Sequence, residues 1–292
     1  MSALTPPSFG ASTHAWGTYA SPTADFFYVD DDLGSVNQYQ VAANGMLLPL
    51  SSPTINTLTS GAYYDGVESF AIHPSGMFAY AVLESTTADN TNTLHHDLVV
   101  FDIGANGQLS YRAGAAAPVE SAAITNADWI GMNSAGTRIY VADPTGTGIY
   151  QFAIATDGSV SPLANPKVAV GSGTANVGAI LVAPSGNSAY AIDYKNNLIW
   201  QYSVDSGGGL VAAATSTIAA CPGLVTYGNP AFAAFDPLSS YLFVSCTSNL
   251  GMRAFSVNAD GTLTVAKDTT LQDSPLTANS LLFSPRTFAI VR

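Results

Sequence analysis

Charged side chains are scarce in this sequence, and positively charged ones are the scarcest. Only 10% of the 292 residues are charged, and 8 Lys and Arg stand against 20 Asp and Glu, which gives a formal net charge of −12. Such an acidic surface repels phosphate backbones and anionic headgroups, so we expect neither nucleic acid nor a membrane as a partner. The hydrophobic fraction of 47% excludes a disordered chain.

Signals for membrane insertion or export are also missing. The long uncharged runs 168–192 and 206–235 are interrupted by Gly, Pro, Ser and Thr, so we expect no transmembrane segment. The first twelve residues contain neither a cationic start nor an apolar stretch, so no signal peptide is predicted. We therefore expect a soluble protein, either cytoplasmic or a secreted mature form. The sequence leaves the oligomeric state open.

Only two cysteines are present, Cys221 and Cys246, and both fall in one repeat of the pattern described below. Their positions, before the first strand of that repeat and after its second, place both toward one face. A disulfide and a pair of buried thiols both remain open at this point.

Motifs for the common cofactors are absent as well. The chain contains no Gly-x-Ser-x-Gly elbow, phosphate loop, dinucleotide fingerprint or Cys-x-x-Cys pair. The acidic run 30–32 lacks the spacing of a calcium loop, and the dispersed His and Asp residues lack the spacing of metal ligands. We expect no cofactor and no metal.

An aromatic residue followed about six positions later by a glycine turn recurs five times along the chain. The five copies are SVNQYQVAANGML (35–47), LVVFDIGANGQL (98–109), IYQFAIATDGSV (149–160), LIWQYSVDSGGGL (198–210) and MRAFSVNADGTL (252–263). Asn-Gly and Asp-Gly turns between alternating apolar residues are strong hairpin signals. Each copy is therefore predicted to be the third and fourth strands of a repeating unit.

A second signature precedes each copy: an apolar strand, a Pro/Ser-Gly turn and a strand rich in aromatic and β-branched residues. Its anchors at 22, 74, 134, 184, 237 and 285 are 48 to 60 residues apart. Repeats of about this length built from short strands are typical of β-propeller blades. We predict an all-β single domain, a β-propeller of six four-stranded antiparallel blades near 14–60, 66–118, 126–170, 176–218, 227–272 and 278–292 plus 1–13.

The last predicted blade is composite. Only its first two strands precede Arg292, so residues 1–13 are expected to supply the closing strand. Seven blades remain possible but would need a further unit of similar length, which is not found.

Propeller geometry places the loops into and out of each blade on one rim and the stereotyped Gly turns on the other. Functional residues favour irregular loops, so we expect the site on the variable rim. The candidate substrate-binding residues there are His14, Trp16, Glu68, Trp129, Asn176, Tyr194, Tyr227, Asn229 and Asn279.

The segment ESTTADNTNTLHHD (84–97) is interpreted as the longest loop on that rim, and unstructured loops of this length are often functional. Its Glu84, His95 and His96, together with Asp128, are the candidate catalytic residues. Adjacent histidines on an extended segment point opposite ways, so at most one faces the site. Solvated loop positions are the alternative for both. His73, on the opposite rim, is interpreted as structural.

The run FAIHPSGMFAYAVLE (70–84), followed by an aromatic strand and an N/D-G-x-L turn, resembles the lactonase-type propeller family. That family includes 6-phosphogluconolactonase-like proteins and fungal carboxymuconate lactonising enzymes. The resemblance is clearest at 70–110 and 180–210 and implies a propeller fold. Members typically have seven blades, so this chain is expected to be about one blade shorter.

The chain departs from that family in its rim cations. Family sites for polycarboxylates or phosphosugars gather Arg and His before the first strand of a blade. Here the matching positions read Ala127-Asp128-Trp129 and Asn176-Val177-Gly178. An anion without rim cations is costly to bind. We therefore expect a neutral or weakly charged substrate.

Three functions follow as hypotheses. The first is a cofactor-independent enzyme that binds a neutral, largely apolar small molecule at the channel mouth and cyclises or isomerises it, by lactonisation or cycloaddition. The second is a lactone hydrolase in which His95 or His96 acts as base and Glu84 or Asp128 orients it. The third is a non-enzymatic scaffold that presents its rim to a partner.

Overall fold

The structure is a computed structural model. It describes residues 15–31, 34–56, 63–86, 94–112, 117–118, 129–143, 148–171, 175–221, 230–236, 238, 240–246 and 251–270.

Five four-stranded antiparallel sheets follow one another along the chain, each with its strands in sequential order. The first two sheets comprise β1 (Ala15–Ala20), β2 (Phe26–Asp31), β3 (Ser35–Val41) and β4 (Leu47–Asn56), then β5 (Tyr63–Ile72), β6 (Phe78–Thr86), β7 (Leu94–Ile103) and β8 (Leu109–Tyr111), with β9 (Ala117–Pro118) also paired to β7. The other three comprise β10 (Trp129–Met132), β11 (Arg138–Asp143), β12 (Gly148–Ile154) and β13 (Val160–Ala169); β14 (Val177–Val182), β15 (Ser188–Asp193), β16 (Leu198–Val204) and β17 (Leu210–Ala219); and β18 (Pro230–Phe235), β19 (Tyr241–Cys246), β20 (Gly251–Val257) and β21 (Leu263–Thr270).

This all-β arrangement of repeated four-stranded sheets is that of a β-propeller, and it confirms the predicted fold class. The described part of the chain contains strands and turns but no helix, and hence no helix that could cross a membrane. The predicted sixth blade, formed by 278–292 and 1–13, lies outside the described residues and stays a prediction.

Residue contacts divide the chain into two compact units. The first comprises residues 1–127 and 154–161, and the second comprises 128–153 and 162–292. The β12–β13 turn thus groups with the first unit, while most of the third sheet belongs to the second.

A buried tyrosine in the second strand of four sheets bonds to a glycine turn of the next sheet. Its hydroxyl donates to the glycine carbonyl between the third and fourth strands there, and all four tyrosine side chains are fully buried. The pairs are Tyr28–Gly107 (2.7 Å), Tyr80–Gly158 (3.0 Å), Tyr140–Gly208 (2.7 Å) and Tyr190–Gly261 (2.7 Å). The second-strand tyrosine of one repeat and the glycine turn of the next are therefore two halves of one contact.

Buried glutamines form a second recurring link. The Oε1 atoms of Gln38, Gln151 and Gln201 accept hydrogen bonds from the first backbone amide of the following sheet's fourth strand. These glutamines are at most 1% exposed, so the bonds satisfy polar groups that water does not reach.

The two cysteines form a disulfide between the end of the fourth sheet and the fifth. Cys246 is the last residue of β19, and Cys221 follows β17. The backbone of Cys221 is held further by Asn197, whose side chain accepts from its amide (2.8 Å) and donates to its carbonyl (3.0 Å). Asn197 adopts a positive φ of 56°, a conformation that asparagine tolerates better than most residues.

Candidate functional site

Carboxylates lie at the last or next-to-last position of the second strand in three sheets, at the side where the chain leaves toward the third strand. Asp30, Asp143 and Asp193 occupy these positions and are at most 1% exposed. A buried carboxylate must be paired or hydrogen-bonded, so the partners of each one decide whether it is structural or chemical.

Asp193 is satisfied almost entirely by the turn that follows it. Its Oδ1 accepts from the amides of Asn176, Lys195 and Asn196 at 3.0–3.1 Å. Its Oδ2 accepts from Asn196 Nδ2 (2.8 Å) and from Trp200 Nε1 (3.3 Å). Asp193 is therefore a structural clamp that fixes the 194–197 turn against the entrance to β14.

That clamp brings two of the predicted substrate-binding residues together, Asn176 and Tyr194. The Tyr194 amide donates to the Asn176 carbonyl at 2.9 Å. The Tyr194 ring lies over Gly178, where a Cβ atom would come within 1.6 Å of the ring. A side chain at 178 would therefore displace the tyrosine ring from this position. Both Asn176 and Tyr194 remain partly exposed.

Trp129, the first residue of β10, belongs to the same unit. It is partly buried and packs against the apolar cluster to which Tyr194 also contributes. It further packs against the neighbouring cluster built around Tyr140, Ile180 and Tyr202. Core packing therefore accounts for most of its surface.

Asp143 has a different partner. Lys167 on β13 reaches its Oδ2 with Nζ at 2.9 Å, and the same Nζ lies 3.2 Å from the Tyr150 hydroxyl and 4.5 Å from the centre of its ring. Burial lowers the pKa of Lys167, but hydrogen bonds to Asp143 and Tyr150 outweigh it, and the pKa is raised overall. The ammonium is therefore held in its charged form.

Sequence reasoning missed Lys167 and Tyr150. Both lie inside strands, where a side chain is first expected to take part in packing. Lys167 is also 24 residues from Asp143 in the sequence, so the contact is not a local one. The available signal was Gly148, which leaves room for a long side chain to cross its strand.

In the first unit, Asp30 bonds to the strand entering its own sheet. It accepts from the Gly17 amide and from the Tyr19 hydroxyl, the latter at 3.0 Å. Glu68, a predicted substrate-binding residue, lies in β5 and is partly exposed.

The segment 84–97 is not the fourteen-residue loop that its composition predicts. β6 continues to Thr86 and β7 begins at Leu94, so paired strand replaces loop at Glu84, His95 and His96. The register pairs Glu84 with His96 and Ser85 with His95. Ladder hydrogen bonds to β7 outweigh the weak strand preference of this polar stretch. Residues 87–93 lie outside the described residues.

The remaining candidates are not placed. His14, Asp128, Tyr227, Asn229 and Asn279 lie outside the described residues, and Trp16 is described only as part of the β1 backbone. His73 caps its own turn, since its Nδ1 accepts from the Ser75 amide at 3.1 Å, which agrees with a structural role.

The described arginines are all engaged in contacts between neighbouring strands or turns. Arg112 pairs with Asp102 and donates to the Asp157 carbonyl at 2.7 Å. Arg138 donates to the Gly207 carbonyl from two nitrogens, and Arg253 donates to the Ala219 carbonyl at 3.1 Å. Lys195, by contrast, is exposed beside Tyr194. Among the described residues, no group of three His, Cys, Asp or Glu is arranged to hold a metal ion.

No family model matches the sequence, and no curated protein matches it. Solved structures do match. A provisionally assigned 6-phosphogluconolactonase from Bacteroides uniformis is 18% identical, with a TM-score of 0.68 over 90% of this chain and 75% of that one. Its counterpart from Bacteroides fragilis is 21% identical, with a TM-score of 0.63 over 85% and 68%.

The periplasmic gluconolactonase of Pseudomonas aeruginosa is similar too, at 14% identity and a TM-score of 0.67, over 90% of this chain and 73% of that one. These likenesses confirm the predicted resemblance to lactonase-type propellers at the level of the fold. At such low identity they say nothing about which residues act.

Proposed function

We propose that this protein is a hydrolase of uncharged lactones, in which His96 is the general base and Glu84 orients it. The observation that carries the proposal is the pairing of Glu84 with His96 in the β6–β7 ladder. The named activities of the similar structures agree with lactone chemistry.

Directly paired positions of an antiparallel ladder lie on one face of the sheet, with Cβ atoms about 4.5–5.5 Å apart. In the proposed reaction the Glu84 carboxylate accepts a hydrogen bond from the His96 imidazole, which fixes its tautomer and favours proton uptake at the far nitrogen. In the proposed reaction the neutral imidazole takes a proton from water as the water oxygen attacks the lactone carbonyl. The ring C–O bond then breaks, and the ring oxygen receives the proton as a hydroxyl.

The distribution of charged residues in the protein supports an uncharged substrate. The net charge is −12, the described arginines are engaged in structural contacts, and Lys167 is paired with Asp143. The exposed lysines Lys195 and Lys267 are screened by solvent and offset little of the cost of bringing a phosphate or polycarboxylate to this protein.

The test is hydrolysis of δ-valerolactone, followed by titration of the acid released. We expect His96→Gln to lower kcat about 10²–10⁴-fold, the range for loss of a general base. Activity of the unaltered protein should rise with pH as imidazoles ordinarily lose their proton, near pH 6–7. Glu84→Gln should also lower kcat.

His95 supplies the matched control. It is adjacent to His96 but pairs with Ser85, and successive strand residues face opposite sides. His95→Gln should therefore retain activity. Unchanged hydrolysis in the double variant His95→Ala/His96→Ala would contradict the proposal.

Cyclisation or isomerisation of a neutral, apolar molecule is the second candidate. It is favoured by the partly exposed aromatic surface of Trp129 and Tyr194, which offers contacts without charge. Positioning alone accelerates such reactions substantially. The two candidates differ in product mass, because hydrolysis adds one water and cyclisation adds none, so mass spectrometry of the products separates them.

A further inference from the structure

Three adjacent strands of the third sheet bring an acid, a phenol and an ammonium into contact. Asp143 ends β11, Tyr150 lies in β12, and Lys167 lies in β13. Lys167 Nζ is 2.9 Å from Asp143 Oδ2 and 3.2 Å from the Tyr150 hydroxyl. All three belong to the second unit, whereas Glu84 and His96 belong to the first.

The strand between them is built for this arrangement. Gly148 pairs with Asp143 in the β11–β12 ladder. A Cβ at position 148 would lie 2.3 Å from Lys167 Cε, so a larger residue there would displace the lysine side chain from its path across β12 to the acid. Asp143 is 1% exposed, while the Lys167 side chain keeps 32% of its surface accessible. The lysine thus has a buried anchor and a side chain that is partly exposed.

In the fourth sheet, the equivalent positions lack the acid, phenol and ammonium combination. Asp193 is the counterpart of Asp143, and Trp200 of Tyr150, because Trp200 pairs with Ala191 as Tyr150 pairs with Val141. There the indole donates to the carboxylate directly, and backbone amides complete its bonds. The carboxylate at this end of a sheet can therefore be hydrogen-bonded without a lysine ammonium or a tyrosine hydroxyl.

We propose that Tyr150 and Lys167 are a proton-donating pair that binds and protonates the carbonyl oxygen of a small ketone, enone or lactone. As a water oxygen bonds to the carbonyl carbon, the C=O double bond becomes a single bond and the phenolic proton moves to the carbonyl oxygen, so the Tyr150 O–H bond breaks and a substrate O–H bond forms. The added water gives up one proton to the solvent. The ammonium beside the phenol stabilises the phenolate that remains. Water then returns a proton to Tyr150. Asp143 is a positioning residue for Lys167.

The test uses cyclohex-2-enone labelled with ¹³C at the carbonyl and infrared spectroscopy of the bound probe. A hydrogen bond from a phenol or an ammonium weakens the C=O bond, so we expect its band to move to lower frequency on binding. Tyr150→Phe should abolish that displacement and weaken probe binding about tenfold, equivalent to one hydrogen bond. Trp200→Phe, at the matching position of the fourth sheet, should leave both unchanged.

Lys167→Met leaves the buried Asp143 without its cation and is prone to misfold, so Lys167→Met/Asp143→Asn is the companion variant. We expect this double variant to fold and to lose most of the band displacement. An unshifted band in the unaltered protein, or the same displacement in Tyr150→Phe, would overturn the proposal and leave the Asp143–Lys167 pair purely structural. Neither result depends on His96, so hydrolysis and this site are tested separately.

Discussion

Tyr140 illustrates how a polar atom is accommodated inside a β core. Its ring is fully buried, its hydroxyl donates to the Gly208 carbonyl at 2.7 Å, and burial raises its pKa to about 12. Burial raises the pKa of Tyr28 to about 12 as well. These phenols stabilise the fold only while they keep their protons.

The sign of the pH effect follows from that shift. An unfolded tyrosine loses its proton near pH 10, whereas folded Tyr140 keeps it to about pH 12. We therefore expect the free energy of unfolding to be unaffected by this group below pH 10. Between pH 10 and 12 it should fall by up to about 1.4 kcal/mol per pH unit for each such tyrosine.

Urea denaturation as a function of pH measures this effect, with tyrosinate absorbance as a second signal. Tyr140→Phe should lose about 1–3 kcal/mol at pH 7, because the buried carbonyl is left unsatisfied, and should show a shallower alkaline slope. Tyr241→Phe, at a 43% exposed position, is the control and should match the unaltered protein. An equal alkaline slope in all three proteins would refute the assignment.

At the scale of the element, the turn between the third and fourth strands is shaped by the sheet before it. Gly158 has a φ of 81°, and a Cβ there would approach the Phe78 ring to 2.6 Å. Gly186, in the β14–β15 turn, has a similar φ of 76° but open space around it. The two glycines share a positive φ and differ in packing.

We expect Gly186→Ala to cost about 1–2 kcal/mol from the left-handed backbone alone. Gly158→Ala should cost clearly more, since Phe78 must also move. The difference in free energy of unfolding between the two variants, measured in urea, isolates the packing contribution. Equal losses would show that Phe78 adapts freely.

The repeated strands and Gly turns could be predicted because their signals are local. The polar stretch 84–97 was predicted wrongly because Glu84 and His96 are in strand through ladder pairing between two segments, which local composition does not reveal. The role of Lys167 was not predicted for a related reason, since its contact with Asp143 depends on the strand register around Gly148. Pairing of the cysteines stayed open because the sequence gives no distance.

At the scale of the whole molecule, the net charge of −12 bears on which substrates approach. Like charges repel at long range, and salt screens this repulsion with a Debye length of about 10 Å at 0.1 M. We expect kcat/KM for a neutral lactone to be insensitive to added NaCl. For a phosphorylated lactone it should be lower and should rise with salt.

The control is a salt series with sucrose in place of NaCl, which changes viscosity and hydration but not screening. A higher kcat/KM for the phosphorylated lactone at low salt would contradict the expected substrate charge. It would indicate cationic residues at the site beyond those that the structure describes.

The tyrosine–glycine contacts also bear on the order in which the chain is completed during synthesis. Each tyrosine precedes its glycine partner by 68 to 79 residues. At about 5–20 residues per second, a ribosome needs about 3–16 s to deliver that partner. A sheet that has just left the ribosome therefore lacks the glycine carbonyl that its tyrosine hydroxyl will bond, until the next repeat emerges. Nascent chains paused within such an interval are the ones that chaperones should recognise.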